Sequence, residues 1–263
     1  MRDRARAAAW LALALVAAAA PARAENPGTY QVGNIPVAGA VASVEFPLRP
    51  GLAGEVDLAA LGQGTYQDGN PLAYLSALIP GAWLHYDGVK NLRLSLGFQE
   101  ALYGEVPPLR LKESHEERVL ARARLQQPRG EAALYEQVQL DVRSFTDPLG
   151  EHHLVYRPRF RVGQGFNLDA ARINSLLLFE EIAFQLDGDG YVARPFNFFR
   201  AFAGYTWTTR RGTFLTLGLL GQITLNPGAT RYDVLWGPVL GLSHRFRAQP
   251  AEAPPQPAEV EVQ

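Results

Sequence analysis

The sequence predicts an all-β protein that folds as an antiparallel, up-and-down transmembrane β-barrel of twelve strands, with ten strands as the alternative. Three observations support this prediction. Polar and apolar residues alternate along the chain, which is the period of a strand and not of a helix. The alternating runs extend over a dozen or so residues, whereas strands of soluble proteins average about 5–6 residues and membrane strands need about 9–11. Tight and longer connections follow each other between the runs, as they do in outer-membrane barrels.

The first 24 residues are typical of a secretory signal peptide. Three arginines within the first six residues precede an apolar run from Trp10 to Ala20, and the tripeptide that ends at Ala24 fits a cleavage site. The apolar run is too short to span a membrane as an anchor, because a spanning helix needs about 20 apolar residues. We therefore expect export and cleavage after Ala24, and the predicted barrel adds the expectation of an outer-membrane location for the mature chain.

Composition excludes several classes of protein. The 263 residues include no cysteine, which excludes disulfides, thiol catalysis, thiolate metal sites and a lipid-modified N-terminus. The 25 basic residues are balanced by 26 acidic ones, so no basic footprint for nucleic acid is expected. No second long apolar run follows the N-terminal segment, which excludes a bundle of membrane helices.

Three successive runs after Lys112 separate polar from apolar side chains. The polar faces comprise Glu116, Arg118, Arg122, Arg124 and Gln126, then Tyr135, Gln137, Gln139, Asp141 and Arg143, then Arg157, Arg159 and Arg161. The apolar faces include Val119, Ala121, Leu140, Val142, Phe160 and Val162. A membrane barrel turns its apolar face to lipid, whereas a soluble, lipocalin-like periplasmic carrier of apolar ligands turns that face inward. Alternation alone leaves both interpretations open.

Connection lengths, aromatic residues and the last strand favour the membrane barrel. The connections DGVK, QPRG and TTRRG are tight, whereas YGEVPPLRLKES, TDPLGEHH and DGDGYVARP are longer. Aromatic residues gather near the predicted strand ends, where rings prefer the interface between lipid and water. The last strand ends in VLGLSHRF, which partly fits the terminal signal recognised by the barrel-assembly machinery.

Domain boundaries follow from these runs. Residues 25–246 form the predicted barrel, and the Pro- and Glu-rich residues 247–263 are expected to be a disordered periplasmic tail. Eleven alternating runs are visible, but a single-chain bacterial barrel with both ends in the periplasm needs an even number of strands. We therefore predict that Thr29 to Pro36 supplies a twelfth strand.

Six segments resemble an uncharacterised bacterial family of outer-membrane-type barrels. In chain order they are HEERVLARARLQQ, YEQVQLDVRSF, YRPRFRVGQGFNLD, SLLLFEEIAF, FNFFRAFAGYTW and VLGLSHRF. The family is catalogued as domain of unknown function 2490, and the resemblance spans roughly Trp83 to Phe246. It implies the fold and the location, and it carries no catalytic residues.

The chemistry expected from the sequence is not enzymatic. The chain has no G-x-S-x-G, H-E-x-x-H, P-loop or G-x-G-x-x-G motif. We expect no cofactor and no metal, and we interpret the LDGDG segment as a hairpin turn. An outer-membrane lipid hydrolase is the alternative, but the adjacent pairs Ser114-His115 and Ser243-His244 point to opposite faces of a strand. A cross-strand Ser–His pair would be needed.

The predicted lumen is rich in arginine. The candidate lumen and anion contacts are Arg118, Arg122, Arg124, Gln137, Gln139, Asp141, Arg143, Arg157, Arg159, Arg161 and Glu181. Unpaired buried guanidinium groups are costly, so Glu116, Asp141 and Glu181 must neutralise part of the charge. This porin-like barrel then has either a structural ion-pair plug or a site for a small anionic ligand. Its other expected partners are outer-membrane lipid, lipopolysaccharide and the assembly machinery.

Overall fold

The computed structural model describes residues 31–63, 74–103, 115–146, 150–187, 196–209, 211–225 and 231–246. These residues form twelve strands: β1 (Gln31–Arg49), β2 (Leu52–Gln63), β3 (Tyr74–Val89), β4 (Leu92–Tyr103), β5 (His115–Arg129), β6 (Ala132–Thr146), β7 (His152–Asn167), β8 (Asn174–Phe184), β9 (Leu186–Asp187), β10 (Phe196–Thr208), β11 (Thr213–Leu225) and β12 (Arg231–Arg245). The predicted signal peptide and C-terminal tail lie outside the described residues. Among the described residues there is no helix with the length and apolar composition needed to cross a membrane.

The strands form one closed barrel. Sequence neighbours pair in antiparallel fashion from β1 to β8, then β8 pairs with β10, β10 with β11, and β11 with β12. The two-residue β9 follows β8 and pairs with the start of β7, so the described barrel wall has eleven long strands. The barrel closes between β1 and β12, which run parallel from Gln31 opposite Arg231 to Glu45 opposite Arg245.

The strand count therefore differs from the twelve, or ten, that the sequence predicts. Residues 31–36, which were expected to supply the extra strand, are the beginning of β1 itself and continue without a break to Arg49. Strands that alternate in direction bring the first and the last of an odd number together pointing the same way, and these two must then pair in parallel. Consequently the barrel is mixed, with one parallel seam.

Short turns gather at one end of the barrel, which we call the short-turn end. The two-residue connections at 50–51, 90–91 and 130–131 each contain a residue with positive φ: Gly51 at 73°, Asn91 at 63° and Gly130 at 65°. Glycine and asparagine are the residues that adopt this conformation at least cost. Connections 168–173 and 209–212 lie at the same end, and the connections at the opposite end fall mainly outside the described residues.

The two faces of the barrel wall differ in polarity. Charged side chains of β5–β8 point inward and are buried, as in Glu116, Asp141 and Glu181, which are at most 2% exposed. Large apolar side chains point outward, with Val162 53% exposed and Leu219 66% exposed. The outer face also carries the glutamates Glu100, Glu117, Glu136 and Glu180.

This polarity is opposite to that of the lipocalin-like alternative. That interpretation directs Val119, Ala121, Leu140, Val142, Phe160 and Val162 to the inside. In the structure Val119, Leu140, Phe160 and Val162 are 42–53% exposed on the outer face. Behind these residues, the inward positions of β5–β8 are occupied mainly by charged and polar side chains, as described below.

Candidate functional site

Glu116 organises the first of three carboxylate-centred clusters in the barrel interior. Its Oε1 accepts a hydrogen bond from Arg118 Nε at 2.7 Å, and its Oε2 accepts one from Arg143 Nη2 at 2.6 Å. The hydroxyl of Tyr103 donates to Oε2 at 2.9 Å. Arg118 and Arg143 are register partners on β5 and β6, so both guanidinium groups reach one carboxylate from neighbouring strands. The cluster lies toward the barrel end opposite the short turns.

Asp141 on β6 forms the second cluster. Its Oδ2 accepts hydrogen bonds from Arg157 Nη2 at 2.6 Å and from Arg159 Nη1 at 3.3 Å. Its Oδ1 accepts one from the Gln139 side-chain amide at 2.6 Å. The carboxylate is completely inaccessible to solvent, so these bonds replace its lost hydration. Such an arrangement makes the middle of the barrel rigid.

Glu181 on β8 forms the third cluster. Its Oε1 accepts hydrogen bonds from Arg159 Nη2 at 2.6 Å, and its Oε2 accepts one from Arg161 Nε at 2.6 Å. Arg200 on β10 lies across from it in register, with its Nη1 3.9 Å from Oε1. In the three clusters together, six guanidinium groups share three carboxylates. The clusters therefore carry an excess of positive charge.

Arg122 and Arg124 on β5 belong to none of these clusters. Among the described residues, neither has a carboxylate within 4.0 Å of its guanidinium nitrogens. Arg122 donates from Nε to Gln139 Oε1 at 2.7 Å, and the buried Nε of Arg124 has no hydrogen-bond partner. Gln137 lies opposite Arg124 in register and is buried. Within the described part of the chain, these two interior arginines of β5 therefore lack a carboxylate partner, and we call them the uncompensated arginines.

Aromatic rings hold both uncompensated guanidinium groups in place. The Cζ atom of Arg122 lies 4.0 Å from the Trp83 ring centroid, and that of Arg124 lies 4.7 Å from the Tyr135 centroid. A guanidinium over an aromatic face is attracted by the electron-rich ring. Each ring lies over a glycine of the next strand: Gly97 is paired with Trp83, and Gly163 with Tyr135. A side chain at either glycine would occupy the position of the ring.

A cavity of about 250 Å³ opens beside these arginines near the short-turn end. Its walls come from β1–β5, β11 and β12, and its charged lining residues are Arg93, Arg122, Arg124, Arg245, Glu45 and Glu55. Glu45 binds both Arg93 and Arg245, at 2.9 and 3.0 Å. The lining thus has four arginines and two carboxylates, and Asp87, just outside the lining, also binds Arg93 at 2.7 Å. With the histidines neutral, positive charge is in excess around the cavity.

A metal ion is a poor occupant of this cavity. The ligand atoms of Glu45, Glu55 and His85 lie within 4.8 Å of one another, which is the spacing of a metal site. However, Glu45 already accepts hydrogen bonds from two arginines, and Glu55 accepts one from His85 Nε2 at 2.9 Å. The surrounding guanidinium groups also repel a cation. The donor set therefore favours an anion.

A serine, a histidine and a glutamate form a hydrogen-bonded chain across β2, β3 and β4. Ser95 Oγ lies 2.8 Å from His85 Nδ1, and His85 Nε2 lies 2.9 Å from Glu55 Oε2. Because the carboxylate only accepts, Nε2 donates to it, and in the neutral ring Nδ1 then accepts from the serine hydroxyl. This is the cross-strand Ser–His pair that sequence reasoning did not find. Ser95 and His85 are directly opposite in register, which adjacency in the sequence does not reveal.

Of the two adjacent Ser–His pairs in the sequence, the one that the structure describes, Ser243-His244, forms no such chain. His244 Nδ1 contacts Thr213 Oγ1 at 2.9 Å, and Ser243 and His244 lie on opposite faces of β12. In the other pair, Ser114-His115, the serine lies outside the described residues.

The sequence-predicted contacts divide into two sets. Arg118, Gln139, Asp141, Arg143, Arg157, Arg159, Arg161 and Glu181 lie in the clusters, whereas Arg122, Arg124 and Gln137 lie apart from any carboxylate partner. Sequence reasoning missed Tyr103, Arg200, Trp83, His85, Glu55, Glu45 and Arg93. The same period of two places Glu45, Glu55, Trp83, His85 and Arg93 on inward positions, but polar residues recur less regularly there than after Lys112.

No protein-family model matches the chain, and no curated protein matches it significantly. The resemblance to the uncharacterised barrel family therefore rests on the segments quoted above.

Proposed function

We propose that the protein is an integral outer-membrane barrel of structural type, without catalytic activity, whose arginine-rich interior binds a small anion. The observation that carries this proposal is the polarity of the wall, with charged clusters inside and large apolar side chains outside. Soluble monomers rarely expose contiguous apolar patches larger than a few hundred Å². A lipid bilayer is the environment in which an apolar outer face is stable.

Each exposed apolar side chain of the outer face contributes to the free energy of transferring the barrel from water to lipid. Leu96, Val138, Leu217 and Trp236 lie on four different strands and are each 53–62% exposed. Full transfer of such a side chain from water to an apolar phase is worth about 1.5–3 kcal/mol. Because these side chains are about half exposed, leaving each of them in water would cost about half of that value, or roughly 1 kcal/mol per residue. The N-terminal signal predicted from the sequence supports export toward that membrane.

The partners follow from the location. Lipid and lipopolysaccharide would contact the outer face, and the barrel-assembly machinery would insert the chain. Phe246 directly follows β12 and is 54% exposed, so the residue that fits the assembly signal is accessible.

Fractionation tests the proposal. Expressed with its own signal in a Gram-negative host, the protein should sediment with outer membrane, resist carbonate extraction and migrate faster on SDS gels unheated than boiled. A closed hydrogen-bonded barrel resists SDS until heated, which explains the expected shift in mobility. Quantitative recovery in the periplasmic supernatant after osmotic shock would contradict the proposal.

We further propose that the barrel is closed in its middle. This is supported by Gln139, Asp141 and Glu181, which lie at mid-height of the wall and are at most 2% exposed. Purified protein in a planar bilayer should then be electrically silent. A steady anion-selective current that weakens in Arg122→Ala and Arg159→Ala would show instead that anions pass through.

A lipid or ester hydrolase is the second candidate, and the Ser95–His85–Glu55 chain is the observation that favours it. It ranks second because Ser95 is only 7% exposed and does not line the cavity, so a substrate has no open route to its hydroxyl. Turnover of phospholipid or p-nitrophenyl esters by the purified barrel, lost in Ser95→Ala, would establish this function in place of the first. No turnover above the Ser95→Ala background is expected.

A further inference from the structure

The two uncompensated arginines lie beside an open space. Arg122 and Arg124 both line the cavity at the short-turn end, and none of the described residues hydrogen-bonds to the terminal nitrogens of either guanidinium. An unpaired charge in a partly buried site is unfavourable, and it is stabilised when a counter-charge binds. The missing partner is therefore an anion and not another side chain of the described wall.

The geometry suits one anion held by two guanidinium groups. Arg122 and Arg124 are two residues apart on β5, so they share a face with Cα atoms about 6.5–7 Å apart. The rings of Trp83 and Tyr135 cover one face of each guanidinium, so their N–H edges are left for a ligand. Because the rings already fix both side chains, little rotamer entropy is lost on binding.

Charge selects the class of anion. Together with the adjoining cavity at the barrel mouth, the lining has five cationic side chains, the four arginines and Lys90, against Glu45, Glu55 and Asp87. Its net charge is therefore +2, which a dianion neutralises. Ser243 also lines the cavity and adds a hydroxyl donor, whereas the Ser43 hydroxyl is hydrogen-bonded to Glu55. A tetrahedral oxyanion accepts hydrogen bonds in several directions, and guanidinium groups bind phosphate bidentately.

We propose that Arg122 and Arg124 bind a phosphate dianion, either free phosphate or the head of a phosphate monoester, in the cavity at the short-turn end. This deepens the proposed function, because it selects two of the interior arginines as the anion contacts and leaves the others to the clusters. The phosphate site rests on the proposed anion-binding role of the interior. It requires a folded barrel, but it does not depend on where in the cell the protein is located.

Access runs through the barrel mouth. A second cavity of about 380 Å³ shares Arg93, Arg124 and Arg245 with the first, and it adds Lys90 from the 90–91 turn and Asp87, which binds Arg93. Positive charge therefore continues from the turns to Arg122, which draws anions inward. A lipid phosphate would leave its acyl chains outside this mouth, whereas free phosphate would enter whole.

Binding is tested with purified, folded protein in a non-ionic detergent. Inorganic phosphate is titrated calorimetrically into wild type, Arg122→Gln, Arg124→Gln and the control Arg129→Gln, which removes an exposed arginine of the same strand. We expect saturable binding by wild type and the control and at least tenfold weaker binding by each cavity variant, because each loses charge-assisted hydrogen bonds. Acetate at equal ionic strength should not compete. A parallel titration uses micelles with phosphatidic acid against micelles with phosphatidylcholine alone.

The outcomes are distinct. Binding of phosphate, of phosphatidic acid or of both supports the site and identifies its source. Absence of both, or equal weakening in Arg129→Gln, would overturn it, as would unchanged binding in both cavity variants. Heat-dependent gel mobility verifies that each variant is folded. If the protein fractionates as soluble but still binds phosphate, the membrane proposal fails while the proposed phosphate site stands.

Discussion

Placing an arginine at the middle of the outer face tests whether that face meets lipid. Leu219 is at the centre of β11 and is 66% exposed. Leu168, in the 168–173 connection at the short-turn end, is 58% exposed. The two leucines are nearly equal in exposure and differ in depth along the barrel, so Leu168→Arg is a matched control for Leu219→Arg.

The expected magnitude depends on the surroundings of the wall. An arginine at the bilayer midplane destabilises a membrane barrel by about 2–4 kcal/mol, whereas one near the interface costs about 0–1 kcal/mol. In water both substitutions are surface changes, worth within about 0.5 kcal/mol of zero. A difference of about 2–4 kcal/mol changes the folding equilibrium roughly 30- to 700-fold.

The assay is urea titration of the barrel in lipid vesicles, with the folded fraction measured by gel mobility of unheated samples. Leu219→Arg should shift the transition to lower urea, while Leu168→Arg stays close to wild type. Equal, small shifts in the two variants would refute the assignment of the outer face to lipid. Equal, large shifts would place the 168–173 connection inside the membrane as well. The assignment of that connection to a position outside the bilayer centre would then be wrong.

Three further predictions follow from the interior and the topology. Asp141→Asn removes a carboxylate that two buried guanidinium groups share, so the free energy of unfolding should fall by about 3–5 kcal/mol in the same titration; a loss below about 1 kcal/mol would contradict the cluster. Gly163→Ala places a Cβ where the Tyr135 ring lies and should cost about 1–3 kcal/mol, whereas Gly165→Ala meets only open space and should be neutral. Because the parallel seam places the start of β1 and the end of β12 at opposite ends of the barrel, epitope tags inserted just before β1 and after β12 should lie on opposite sides of the membrane. Antibody labelling of intact cells should therefore detect only one of the two tags. Labelling of both tags, or of neither, would argue against the seam.

Period-two alternation was sufficient to predict which side chains share a face. In β5 to β7 every second residue is polar over most of the strand, and in the structure those residues line the interior while their neighbours face outward. The side of the wall that each face occupies did not follow from alternation. It follows from the size and charge of the residues, since arginines this numerous need partners that a barrel interior supplies.

The strand count and the N-terminal third could not be obtained this way. An even number of strands was predicted because both termini were expected on the periplasmic side. A barrel with an odd number of strands can also satisfy its backbone hydrogen bonds, because its first and last strands pair in parallel. In β1 to β4, small and apolar residues such as Ala59, Ile79 and Ala101 occupy inward positions, so the alternation of polarity is weak there. Polar residues that do face inward, such as His85 and Glu55, therefore stood out less.

The face on which an arginine lies does not determine its partner, because the partner depends on which residues lie next to it on the same strand and on the neighbouring strands. Arg118, Arg122 and Arg124 occupy one face of one strand, yet they have different partners. Arg118 lies beside Glu116 on its own face and is bound by it, whereas Arg122 is paired across the sheet with Ser95 and Gln139, and Arg124 with another arginine and a glutamine. Identical residue types thus become a rigid ion pair at one end of the strand and an unpaired charge beside a cavity at the other. Sequence alone predicts that the arginines of β5–β7 enter the interior. Their neighbours on the same strand and across the register decide which of them remain available to a ligand.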